Sequence, residues 1–120
     1  MIAIFLGRRD YTMHSGGGFL DRAFGGYDAA MTPAEIYDAA RGWWRLNGDR
    51  AASESYALAV GDGYGVQVTE ITDWRYHDAI GRWAFAGNIL GPGDPIHDRW
   101  VGSRVPRPSR NPIAYLPDAT

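Results

Sequence analysis

The 120-residue chain contains no cysteine and no lysine. Without cysteine there is no disulfide, no thiol nucleophile and no zinc finger of the usual kind. Without lysine there is no Schiff base, no lysine general base and no Walker-type phosphate lysine; all 12 basic residues are arginine. A long apolar run is missing as well. The longest near the start, Met1–Leu6, has no basic residue ahead of it and is too short for a signal-peptide core or a membrane span. A cytoplasmic protein without membrane attachment is the expectation. Excess positive charge is also lacking. The net charge is −2, whereas nucleic-acid binders are often basic overall. The charge is unevenly spread, however. Residues 28–79 carry nine acids against four arginines, and residues 80–120 carry five arginines against three acids. A local arginine patch is compatible with the acidic total.

What is present fits one domain over residues 1–120. Hydrophobic residues make up 45% and charged residues 22%, which excludes wholesale disorder. The 16 glycines point to turns and bulges rather than long helices. One helix start stands out, at Thr32-Pro33-Ala34-Glu35. Thr32 can cap, Pro33 suits the first helical position, and Glu35 completes a capping box. Met31 and Ile36 are placed as a hydrophobic staple. The helix should run to about Arg41, with Gly42 stopping it. Strands are expected at residues 1–6, 55–60, 64–74, 82–90 and 113–116. Gly61-Asp62-Gly63 makes a tight hairpin connection. Tyr56, Leu58 and Val60 should share one face. Val66, Val68 and Glu70 should share another, with a bulge near Glu70 bringing Ile71 and Trp74 back into step. Asn47-Gly48-Asp49 reads as a turn, residues 91–95 as a loop, and residues 99–102 as a short strand or turn. The fold class expected is α+β: a small curled sheet or β-barrel of five to six strands with one main helix.

Signatures of chemistry are sparse. Gly16-Gly17-Gly18 is not followed by Gly-Lys-Ser/Thr, so it reads as a loop. His14, His77 and His97 include no His-x-x-x-His pair, and neither a metal site nor a cofactor is expected. No Gly-x-Ser-x-Gly elbow surrounds any serine. Glu70 is the one acid expected to face a strand's apolar side, where burial raises a carboxyl pKa. If the protein is an enzyme, Glu70 with Thr69 or Thr72 would carry the acid–base work; otherwise Glu70 is an ion-pair partner for Arg41 or Arg45. Arg99, Arg104, Arg107 and Arg110 form a cationic strip able to neutralise phosphates. The densest stretch is Arg41-Gly42-Trp43-Trp44-Arg45-Leu46. Indole faces stack on bases, and the guanidinium fork suits phosphates and base edges. One tryptophan should be core and the other should face outward, since neighbours on an extended chain point apart.

The order of these features resembles small PUA-like domains, the group that includes the ASCH, EVE and YTH branches. The matching residues are Arg41, Gly42 and Trp44 after the helix; the hairpin over 56–74; Arg82, Trp83, Phe85 and Gly87; Val101, Gly102 and Val105; and Asn111, Pro112, Ile113 and Tyr115. The resemblance covers residues 31–116 and leaves the first 30, an N-terminal strand and Gly-rich loop, outside. It implies a β-barrel flanked by helices that binds RNA or modified bases in DNA or RNA, for some members in restriction or phage-defence systems. Some ASCH-like members are hydrolases of modified nucleosides that look to use lysine, threonine and glutamate; this chain has no lysine. The expectation is therefore a non-enzymatic module for RNA, modified DNA or a nucleoside. Its site would be Arg41, Trp43, Trp44, Arg45, Arg104 and Asn111, with Glu70 a further polar contact. A small nucleoside hydrolase and a protein–protein adaptor are the alternatives.

Overall fold

The computed structural model describes residues 1–8 and 26–117. The Gly16–Gly18 loop lies outside the described residues. Five strands form one mixed sheet: β1 (Ile2–Phe5), β2 (Tyr56–Gly61), β3 (Tyr64–His77), β4 (Arg82–Ile89) and β5 (Ile113–Tyr115). Their order is β4-β3-β2-β1-β5. β1 lies parallel to β2 and antiparallel to β5, and the remaining pairs are antiparallel. Three helices accompany the sheet: α1 (Pro33–Ala40), α2 (Gly48–Ala52) and α3 (Pro95–Trp100).

β1 reads as an unbroken apolar run because both of its faces are covered. Ile2 and Ile4 pack with Ala57, Ala59, Phe85 and Ile113 under Ala39 and Ala40 of α1. Ala3 and Phe5 pack with Leu58, Val60 and Val68 under Ile96 and Trp100 of α3, together with Val105. The sheet is thus the middle layer between two apolar clusters.

The expected α1 is present with its full cap. The Glu35 N–H donates to Thr32 Oγ1 at 3.2 Å, and the Thr32 N–H donates to Glu35 Oε1 at 2.9 Å. Arg41 is the C-cap, and Gly42 follows with φ of +152°. The β2–β3 hairpin turns on Asp62 and Gly63, both at positive φ, as an Asp-Gly two-residue loop requires.

Several elements differ from expectation. Asn47-Gly48-Asp49 does not simply turn: the Asn47 side chain accepts the Arg50 N–H at 3.1 Å and starts α2. Residues 95–100 form α3, because the Asp94 carboxylate accepts the Ile96 and His97 N–H groups and Pro95 occupies the first turn. An unexpected bulge falls at Val66, and the one expected near Glu70 falls two residues on, at Thr72. The first of these sends Val66 to the α1 cluster and Val68 to the α3 cluster, so the two valines do not share a face.

The sheet curls but does not close into a barrel. Among the described residues its outer strands, β4 and β5, do not pair. The outer side of β4 is taken by the chain leaving α1. Trp83 and Trp44 exchange both backbone hydrogen bonds at 2.8 Å, and the Phe85 N–H donates to the Arg41 carbonyl at 2.9 Å. One turn back along α1, the Tyr37 hydroxyl accepts the Gly87 N–H at 2.9 Å. Among the described residues no helix is long and apolar enough to cross a membrane.

Candidate functional site

The segment after α1 is held by its backbone against β4, and the Gly42–Trp43 peptide is cis. Gly42 sits where a Cβ would meet both Ala84 Cβ and the Trp83 carbonyl at 2.7 Å, so only glycine lets the chain pass this close. Beyond it, both tryptophans are half-buried. Trp44 is the structural one: its Nε1 donates to the Ala40 carbonyl at 2.7 Å, and its ring packs on the α1-side cluster. Trp43 packs edge-to-face against His77, with centroids 5.3 Å apart.

Trp43, Trp44 and Arg45 line a cleft of about 370 Å³ together with Arg82, Asn111 and Pro112. Arg82 opens β4 and Asn111–Pro112 lead into β5. The cleft therefore spans the gap between the two outer strands, where a closed barrel would have had its seam. Arg45, Arg82 and Asn111 are exposed. Asn111 Oδ1 accepts the Ile113 N–H at 2.9 Å, so the amide group that remains to donate is its NH2. Among the described residues no carboxylate lines the cleft. Its chemistry is two indoles, two guanidiniums and one amide donor.

Four expected site residues, Trp43, Trp44, Arg45 and Asn111, are brought together here. Two are not. Arg41 points back into the protein: its Nε donates to the Phe85 carbonyl at 2.9 Å, its guanidinium lies 4.8 Å from the Tyr37 ring centroid, and Asp38 is 3.4 Å away. It ties α1 to β4 and does not rim the cleft. Arg104 lines a different and larger cavity of about 510 Å³, with Arg8, Tyr27 and Arg107. Arg82 was missed because it comes from β4, far away in sequence. Its signal in the sequence is its place ahead of Trp83, Phe85 and Gly87 in the PUA-like pattern.

Among the described residues no hydrogen bond joins Glu70 to Thr69 or Thr72, the residues of the catalytic alternative. Thr69 is buried and Glu70 is exposed, as neighbours on opposite faces of a strand must be. Glu70 lies on the side that Val68 faces, but both it and its β4 partner Asn88 are exposed. Glu70 is therefore not the buried carboxylate that acid–base work called for. Neither Arg41 nor Arg45 forms an ion pair with it among the described residues. Thr72, the second bulge residue, donates its hydroxyl to the Ala86 carbonyl at 3.2 Å. His97 is hydrogen-bonded through Nδ1 to Asp98 at 2.9 Å. That bond, with the Gly93 N–H, holds the Asp98 carboxyl below its ordinary range. Among the described residues no three His, Asp or Glu side chains converge on a metal position.

No family model matches the chain, and no curated protein or solved structure matches it either.

Proposed function

We propose that this chain is a nucleic-acid-binding module of PUA-like kind, whose Trp43–Trp44 cleft receives an unstacked base. The observation that carries the reading is the composition of the cleft: two half-buried indoles flanked by exposed Arg45 and Arg82, with the Asn111 amide at its wall. An indole offers any base a stacking face, and the guanidiniums meet the flanking phosphates. Selection among bases falls to cleft shape and to the Asn111 donor, and a modified base is the ligand class for which such a pocket is suited. RNA and modified DNA are both candidate partners, with a restriction or phage-defence role as the setting and the cytoplasm as the compartment. The reading needs no cofactor.

The test is binding of wild type and Trp43→Ala to a panel of single-stranded oligonucleotides carrying different modified bases. Stacking on one aromatic ring is worth ~1–3 kcal/mol, so the variant should bind its best ligand roughly five- to a hundred-fold more weakly. Trp43→Phe should recover part of the loss. Equal binding of wild type and Trp43→Ala across the panel would remove the proposal.

A further inference from the structure

β1 and β2 run parallel and therefore end on the same side of the sheet, at Phe5 and Gly61. The crevice beyond the carboxyl ends of parallel strands is a favoured place for a ligand. Four separate stretches of chain meet there. β1 continues to Arg8. The Val105 N–H donates to the Gly63 carbonyl at 2.8 Å, which fixes the segment carrying Arg104 and Arg107 beside the β2–β3 turn. The cavity between them, about 510 Å³, is walled by Phe5 and Tyr27 and rimmed by Arg8, Arg104 and Arg107.

All three arginines are exposed, and none forms an ion pair with a carboxylate among the described residues. Arg107 donates one N–H to the Arg110 carbonyl and lies 6.0 Å from the Phe5 ring centroid, which orients it. Guanidiniums gathered this way repel one another until an anion joins them. The Tyr27 ring is fixed as well. It packs against Gly61, where a Cβ would come within 2.8 Å of three of its ring atoms, and it lines the cavity beside the cations. Asp28 and Asp62 also line the cavity. Among the described residues three guanidiniums thus stand beside two carboxylates, a modest excess that suits a singly phosphorylated ligand better than a polyphosphate.

We propose that this cleft is a second binding site, distinct from the tryptophan cleft, and that it takes a phosphate monoester attached to a planar ring, of which a nucleoside monophosphate is the simplest example. Arg104, Arg107 and Arg8 hold the phosphate, Tyr27 stacks on the ring, and Asp62 accepts a sugar hydroxyl.

Calorimetric titration at low salt with adenosine monophosphate, adenosine and adenosine triphosphate tests this. The monophosphate should bind at least tenfold more tightly than adenosine, and the triphosphate no more tightly than the monophosphate. The double variant Arg104→Ala/Arg107→Ala should lose at least tenfold in monophosphate affinity. A parallel arm compares 5′-phosphorylated and 5′-hydroxyl oligonucleotides. If the 5′ phosphate strengthens binding, and the gain is lost in Arg104→Ala/Arg107→Ala, the phosphate site stands and a strand end is its source. Equal affinity for adenosine and its monophosphate, undiminished binding by the double variant, or no binding of any phosphorylated probe would overturn the proposal. Should the double variant not fold, the salt dependence of the wild type decides: affinity falls with added salt if phosphate contacts carry it, and a flat response overturns the idea.

Discussion

Trp43 stands edge-on to His77, with 5.3 Å between ring centroids and 77° between ring planes. His77 is the last residue of β3, paired with Arg82 at the start of β4. The hairpin end thus sets the attitude of the indole and supplies one of the cleft's two cations. An aromatic pair of this geometry contributes ~0.5–1.5 kcal/mol beyond its burial. His77→Ala should therefore release the Trp43 ring. The expected outcome is a severalfold loss of oligonucleotide affinity with a small change in melting temperature. Unchanged affinity in a well-folded variant would show that the ring is positioned by other contacts.

Trp44 should behave in the opposite way. Its indole N–H is hydrogen-bonded to Ala40 and its ring rests on the core. Truncation of a large aromatic residue costs on the order of 3 kcal/mol when it is buried. Urea denaturation should show a loss of that order for Trp44→Ala and a clearly smaller one for Trp43→Ala. If the two variants lose equal stability, the division of labour between the tryptophans is wrong.

These assignments show what could be read before the structure. α1 was legible because Thr32, Pro33 and Glu35 act on one another within a single turn. The Asp62-Gly63 hairpin was legible for the same local reason. α3 carried a signal of the same type, Asp94 followed by Pro95, but its six residues are hidden behind Gly91-Pro92-Gly93. The parallel pairing of Ile2 with Ala57 leaves no local trace at all, so the open sheet could not be told from a barrel. Half of the cleft lay in one stretch, Trp43 to Arg45. Arg82 joins it only through the curl of the sheet. Arg41 misled because residue type says nothing of direction: at the helix C-cap its side chain is turned onto the Phe85 carbonyl.

Gly42 is the tightest point of the site segment. A Cβ there would press on Ala84 and on the Trp83 carbonyl, and the residue's φ of +152° disfavours any L side chain. Both effects act in the same direction. Gly42→Ala should lose ~1–3 kcal/mol, the usual range for overpacking, or more, as read by thermal or urea unfolding. A neutral result would mean that the chain can move away from β4 at little cost.

Asp98 offers a test in acid. Its carboxyl is held low chiefly by the hydrogen bond from His97 and next by the Gly93 N–H. A carboxyl with a depressed folded pKa contributes stability above its unfolded value, ~3.9, and loses that contribution as pH falls through the folded value. The stability gap between wild type and Asp98→Asn should thus be constant above about pH 5 and shrink steadily below pH 4. A gap that stays the same down to pH 2 would show that the carboxylate's charge is not what matters.

The bonds along the outer side of β4 have a further consequence. The N–H groups of Trp83, Phe85 and Gly87 are taken by Trp44, Arg41 and Tyr37 in turn. Left open, such a row would be a template for strand addition by another molecule, the usual route to edge-to-edge aggregation. The stretch from Tyr37 to Trp44 therefore covers this edge of β4 as well as building the cleft. Changes that loosen it should show in light scattering as self-association, even where the binding residues themselves are intact.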